Sequence, residues 1–440
     1  MMIYIKNIIT ALLVLVAIQA NAQTILTKKE ALQIALENNY GVKIANNNLA
    51  IAKNNSSIYN SRHLPTLSTN AGANYNNSNQ EIERQDGTIT NVNGAVTKTY
   101  NASVNVNYTI FDGLGRKYNY KQLKETYNLS ELQARETIEN MYLQLFSVYF
   151  QIARLSENTK NLQEALKISK QRLKRAQYQY EYGQSDRLEL LNAEVDVNND
   201  SISLINSRQL FANSKRDLNI ILGVQKNIDY SVETDVEFIT LMSYEALLEK
   251  AKENNVILQQ NKKNIAISEF NIKANKAGYL PTASLSGSYG WNKSDNPATS
   301  FLAGSNSSGL NAGINLSWNI FDGGSTKTRV ANAKIALENQ EILKTQHIET
   351  IENTLNNTFE SFQNALFVIQ AQEKNVLTNQ NNFDRTQERY KLGQVTSIEF
   401  RQAQINLLNA QTALNNEKFN AKLIELELLQ LTGDLLNVEY

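Results

Sequence analysis

The chain has 440 residues, no cysteine, and 43 basic residues balanced by 43 acidic ones. That balance gives no electrostatic ground for a nucleic-acid partner. The missing thiols exclude a disulfide framework, a thiolate metal site and a lipid-bearing N-terminal cysteine.

At the N-terminus, Lys6 precedes an apolar core over residues 8–18 and the small-residue pattern Ala20-Asn21-Ala22. This is the form of a secretory signal over residues 1–22, with cleavage expected before Gln23. The core is too short for a spanning helix, which needs about 20 apolar residues. No later segment is apolar for long enough either. A secreted chain that stays with a membrane, without a lipid anchor, then has strands closed into a barrel as its remaining route.

From there the chain is written twice. His63-Leu64-Pro65-Thr66 answers Tyr279-Leu280-Pro281-Thr282, and Ile110-Phe111-Asp112-Gly113 answers Ile320-Phe321-Asp322-Gly323, 210 positions later. Tyr180 to Gln184 answers Tyr390 to Gln394, and Ile221-Leu222-Gly223 answers Leu431-Thr432-Gly433, both at the same offset. Repeated matches at one spacing mark an internal duplication. The first copy takes residues 23–223, a linker 224–242, the second copy 243–433, and a short tail 434–440. The linker holds Val232, Val236, Phe238 and Ile239, enough for a short strand or helix.

Each copy opens with a helix, which in the second is expected as one piece over residues 245–278. Pro65 or Pro281 ends it and turns the chain extended. Beyond each proline the residues alternate at period two. Leu67, Thr69, Ala71, Ala73 and Tyr75 share one face of the first strand, and Ser68, Asn70, Gly72, Asn74 and Asn76 the other. The return strand sets Tyr100, Ala102, Val104, Val106, Tyr108 and Ile110 against Asn101, Ser103, Asn105, Asn107 and Thr109. In the second copy Ala283 to Trp291 and Leu310 to Ile320 repeat the pattern, with serines, asparagines and glycines opposite.

Four strands of about ten residues, apolar on one face and uncharged-polar on the other, match membrane-barrel strands. The aromatics near their ends, Tyr100, Tyr108, Phe111, Trp291, Trp318 and Phe321, suit a belt at the lipid interface. Residues 77–99 and 292–309 are expected as long polar loops. Four strands do not close a barrel. Eight, from two chains, have room only for side chains, and twelve, from three, leave space for water.

After the strands comes a long stretch without proline or glycine, residues 116–182, which as one helix runs about 100 Å. Its seam steps by three and four through Ile138, Met141, Leu145, Val148, Ile152, Leu155, Thr159, Leu162, Leu166, Ser169, Leu173, Ala176 and Tyr180. The second copy repeats the register from Ile348 to Tyr390, and sustained heptads of this kind form coiled coils. Each long helix ends at a turn, Tyr182-Gly183-Gln184 or Leu392-Gly393-Gln394, whose glycine suits the left-handed cap. A further helix begins at Asp186 or Thr396.

With its duplicated Leu-Pro turns, Ile-Phe-Asp-Gly turns and Tyr-x-x-Gly-Gln tips, the chain resembles the TolC-type outer-membrane efflux protein family over nearly all of the mature sequence. The resemblance implies a mixed α+β, mostly helical fold: a homotrimer whose four strands per protomer build a twelve-stranded transmembrane β-barrel, above a long coiled-coil α-helical barrel that spans the periplasm. It implies a passive exit duct for small molecules in the outer membrane of a Gram-negative cell. The tips would dock a periplasmic adaptor, and an inner-membrane pump of the RND or ABC type would supply the energy.

In that family acidic residues near the inner tip ring the closed periplasmic entrance. The matching positions here are Glu399 and Gln402, with Glu189 and Asn192 in the first copy, so one of the two acidic rings is lost to Gln402. A second reading of Glu399 stands beside this, because Thr396-Ser397-Ile398-Glu399 is also a capping box. A trimeric coiled-coil adhesin or scaffold shares the heptads and secretion, but it calls for strands at one end of the chain, not duplicated within it. No cofactor, metal site or catalytic constellation is expected: the two histidines, His63 and His347, have no ligand cluster around them, and no phosphate loop or nucleophile elbow occurs.

Overall fold

The fold is described from a computed structural model covering residues 24–224, 230–240 and 242–437. The expected signal segment lies outside the described residues. In chain order, the first copy contains β1 (Thr24–Leu26), α1 (Lys28–Asn38), α2 (Tyr40–Asn55), β2 (Thr66–Glu83), β3 (Ile89–Asp112), α3 (Gly115–Glu181) and α4 (Arg187–Ile221). After β4 (Tyr230–Val232) in the linker, the second contains α5 (Tyr244–Asn254), α6 (Val256–Lys276), β5 (Thr282–Asp295), β6 (Gly304–Ser317), α7 (Ser325–Lys391) and α8 (Ser397–Leu431).

The two long helices each run 67 residues, and the shared motif before them explains where they start. Asp112 Oδ2 accepts from the Arg116 N–H at 2.8 Å, and Asp322 Oδ2 accepts from the Thr326 N–H at 2.8 Å. The aspartate of Ile-Phe-Asp-Gly thus takes up an amide that the first turn leaves unsatisfied. Gly113 and Gly323 enter the turn at φ near +70° (68° and 67°), a region open to glycine.

A helix expected as one piece over residues 245–278 is two, α5 and α6. The break is Asn255, whose backbone is extended at φ −58° and ψ 126°. Its Oδ1 accepts from the Ile257 and Leu258 N–H groups, while Nδ2 donates to Leu431 O at 3.0 Å. Asn39 breaks the first copy in the same way, with Nδ2 donating to Ile221 O at 2.8 Å. One carboxamide therefore caps the next helix and also holds the end of a helix from far along the chain.

The four-stranded sheet has the order β2-β3-β5-β6, antiparallel throughout, so β3 and β5 join the two copies. The strands are longer than expected, at 18, 24, 14 and 14 residues. Much of what looked like polar loop over 77–99 and 292–309 is paired strand, leaving connections of residues 84–88 and 296–303. Asparagine, serine and threonine, with charged residues such as Glu81, Glu83, Lys98 and Lys293, interrupt the apolar period, yet their backbones complete the ladder. In contrast, β6 stops at Ser317, so Trp318, Ile320 and Phe321 lie beyond the strand, in the turn toward α7.

The described residues form two compact units. One holds the sheet with residues 49–131 and 260–344. The other is helical, formed by the described parts of Met1–Asn48, Leu132–Gln259 and Thr345–Tyr440. The helical unit's largest core is aromatic: Tyr142, Phe146, Tyr149 and Phe150 from α3 meet Phe419 from α8. The linker is bound into this unit. β4 pairs in parallel with β1, and the buried Tyr149 hydroxyl donates to Leu26 O at 2.7 Å and accepts from the Glu233 N–H at 3.1 Å. Further on, the buried Glu425 accepts from the Ile239 N–H at 2.6 Å and pairs with Lys422, which donates to Glu237 O at 2.8 Å. Burying two charges is tolerable because each is paired and hydrogen-bonded.

Candidate functional site

At the helical tips, Gly183 and Gly393 take φ of 70° and 73°. Gln184 N–H donates back to Gln179 O at 2.7 Å and Gly183 N–H to Tyr180 O at 3.0 Å, with the same pair of bonds from Gln394 and Gly393. This is the Schellman end of a helix. Tyr182 and Leu392, at the crests, are 78% and 72% exposed, with Gln184 and Gln394 exposed beside them.

The two hairpins face each other across a groove that Glu189, Asn192, Gly393 and Gln402 line together with Arg172, Arg175 and Arg401. The structure therefore brings three of the four expected gate positions together. Glu399 does not line the groove. Its carboxylate folds back to accept from the Thr396 N–H at 2.7 Å and hydroxyl at 2.8 Å, while its own N–H donates to Thr396 Oγ1. The capping box is complete, and the Thr396 N–H and hydroxyl hold the Glu399 carboxyl below the ordinary carboxylate range. Asp186 caps α4 one way, accepting from the Glu189 N–H at 3.0 Å.

A charged network that the sequence pattern did not reveal ties one hairpin to the other. Arg401 on α8 grips Asp200 on α4 through two bonds, of 2.8 and 2.7 Å, and Ser169 on α3 donates to the same carboxylate at 2.6 Å. Arg172 pairs with Asp196, and its Nη1 donates to Ser397 O at 3.3 Å. Arg175 lies 4.8 Å from the centre of the Tyr390 ring, which stacks on Phe400. One signal was present in the sequence: Ser169 occupies a seam position of the heptad, where a polar side chain asks for a specific partner across the helices.

The sheet is the second candidate. Ser68, Asn105, Ser288 and Asn311 are register partners across all four strands, and they line one hollow together with Asn70, Asn107 and Ser286. The other face presents exposed Leu67, Val104, Val106, Leu285, Leu310, Ile314 and Leu316. Four of the aromatics fall at two levels on this apolar face. Trp291 pairs with Ala102, a diagonal step from Tyr100. Tyr108 pairs with Leu285, and a register shift at Ile110 sets Phe111 opposite Ala283, on the apolar side. Trp318 donates to Tyr279 O at 3.1 Å, and Phe321 is exposed.

Among the described residues no helix is long and apolar enough to cross a membrane, and no group of three or more His, Asp or Glu is placed to hold a metal. The model of the outer membrane efflux protein family matches twice, over residues 31–224 and 247–434. The chain belongs to the outer membrane efflux protein family.

Relatives of this efflux protein include the outer membrane protein TolC of Vibrio cholerae, 22% identical over 313 residues that cover 70% of each chain. The toluene efflux pump outer membrane protein TtgC of Pseudomonas putida is 23% identical over 321 residues, covering 71% of this chain and 64% of TtgC. Among solved structures, the CmeC outer membrane channel of Campylobacter jejuni superposes with a TM-score of 0.78 at 17% identity, over 92% of this chain and 85% of CmeC. VceC of Vibrio cholerae superposes with a TM-score of 0.73 at 15% identity, over 92% and 95%. These likenesses agree on one fold shared over 92% of the chain.

Proposed function

We propose that this outer-membrane efflux protein is one protomer of a homotrimeric passive duct that carries small molecules out of the periplasm. The observation that carries the reading is the sheet. It is neutral-polar on one face and apolar on the other, and its outer strands β2 and β6 have no further strand beside them among the described residues. An unpaired edge invites another strand, and three copies give twelve strands around a polar lumen. Two copies give eight, whose interior side chains fill. The strands sit within each repeat, which disfavours the adhesin or scaffold alternative.

On this reading residues 1–22 are a cleaved signal, the copies 23–223 and 243–433 repeat one building plan around the linker 224–242, and 434–440 form the tail. The six aromatics mark the two lipid interfaces. Tyr182, Gly183, Gln184, Leu392, Gly393 and Gln394 meet a periplasmic adaptor, which links the duct to an inner-membrane pump of the RND or ABC type. Glu399, Gln402, Glu189 and Asn192 surround the periplasmic entrance. The pump does the energetic work, and the duct opens and closes.

The test is the mass of the detergent-purified mature chain by light scattering, together with its conductance in a planar bilayer. A trimer carrying small, cation-biased currents is expected. A well-folded monomer or dimer without conductance under any condition overturns the duct.

A further inference from the structure

The connection between β5 and β6, residues 296–303, is built to hold a shape. Asn296 N–H donates to Ala303 O at 2.9 Å and its Nδ2 to Leu302 O at 3.0 Å, while Ser300 N–H donates to Pro297 O at 2.9 Å. The folded loop then reaches sideways. Thr299 Oγ1 donates to Gln80 Oε1 at 2.7 Å. Gln80 belongs to β2, and β3 lies between β2 and β5, so the loop crosses a whole strand to make this bond.

The register tells which face it crosses. Ser78 pairs with Ala95 and Gln80 with Val92, so the extra residue of the bulge is on β3 and the alternation of β2 continues unbroken. Gln80 therefore shares the face of Ser68, Asn70, Asn74, Asn76 and Ser78, the neutral-polar one. Ser78 and Gln80 are half-buried, and Ala95 is only 2% exposed, whereas Asn70, Asn74 and Asn76 are exposed. The crest of the loop is Phe301, fully exposed, with Leu302 55% exposed beside it. The corresponding connection of the first copy carries Arg84, Gln85 and Asp86 instead.

We propose that residues 296–303 are a strap over the lumen face of the sheet, and that the Phe301–Leu302 crests of three copies meet to close the outer mouth of the duct. The proposal rests on the trimeric reading above, which makes the neutral face the lumen. Threefold symmetry then sets three identical crests around one opening. An apolar side chain left wholly in water by its own chain gains by meeting its copies there. The duct would thus carry an apolar outer closure, separate from the polar and charged tip groove.

Because the chain has no cysteine, Ser288→Cys places a single thiol on the neutral face. Its labelling by a membrane-impermeant maleimide, applied outside intact cells, approaches the lumen from the strap side and does not depend on the periplasmic tips. Adding Phe301→Ser with Leu302→Ser, or replacing residues 297–302 by a Gly-Ser turn, should speed labelling on the order of tenfold, since labelling tracks the population of the uncovered mouth. Phe301→Cys alone should cross-link between protomers with a short bis-maleimide. Unchanged labelling and no cross-link, in protein whose mass is a trimer, overturn the strap and leave the duct standing. A folded protein that is not a trimer overturns both, and light scattering on the same samples separates the two failures.

Discussion

Glu399 has two assignments that one atom can separate. Its carboxylate closes a capping box with Thr396, and on the trimeric reading it also places three negative charges at the entrance. Glutamine at the third helical position keeps the reciprocal bond and loses the charge, while alanine loses both. If the ring acts, Glu399→Gln and Glu399→Ala should weaken cation preference alike, and only Glu399→Ala should also fray α8 and leak. Bilayer reversal potentials and helix circular dichroism on the two variants check this. A selectivity change confined to Glu399→Ala would assign the residue to the cap alone. The sign of the pH dependence comes from the Thr396 bonds, which hold the carboxyl below its ordinary range. The stabilising contribution is complete above the ordinary carboxylate pKa and is lost as pH falls through the lowered value.

At the scale of elements, the two kinds of glycine in this chain separate local from tertiary demands. Gly393 has φ of +73° and open space where a side-chain carbon would sit, whereas at Gly433, with φ of +74°, that carbon would lie 2.5 Å from Asn254 O. Gly393→Ala should therefore cost only the left-handed strain, roughly 1–2 kcal/mol. Gly433→Ala adds overpacking against the α5 end, for roughly 2–5 kcal/mol in all, read as the difference in urea unfolding midpoints. The same division governs what was legible in the sequence. The long helices, the turn at Gly393 and the alternating strand cores depend on local periodicity; the first two were placed to within a residue or two, and the strand cores were found apart from residues 318–320, which lie beyond β6. The breaks at Asn39 and Asn255 were not, because half of each carboxamide's bonding, the Nδ2 bond to Ile221 O or Leu431 O, reaches far along the chain. Nor was the Arg401–Asp200–Ser169 network, whose members come from three helices. The strand ends over residues 77–83, 89–99, 292–295 and 304–309 stayed hidden because polar and charged residues interrupt any apolar period there.

For the whole molecule, the deciding question is what lies against the apolar face of the sheet. Adjacent positions on β3 point to opposite faces, so Val106 and Asn107 make a controlled pair. Val106 pairs with Leu67 and Gly287, four residues from the level where Ala102 meets Trp291 and five from Phe111. It thus stands near mid-height between the two aromatic levels. If lipid covers this face, Val106→Arg places a charge near the bilayer midplane and should cost about 2–4 kcal/mol, seen as loss of assembled trimer from outer-membrane fractions. Asn107→Arg, one residue on, points into the hollow that Ser286 also lines. It should assemble normally and move the reversal potential toward anions, because a charge in a water-filled lumen acts on permeating ions and not on folding. A soluble sheet packed on a protein partner would give a different result, with Val106→Arg disturbing that interface and Asn107→Arg leaving no electrical trace. The pair therefore tests the membrane barrel by its two faces at once, independently of the tips, the strap and the pump.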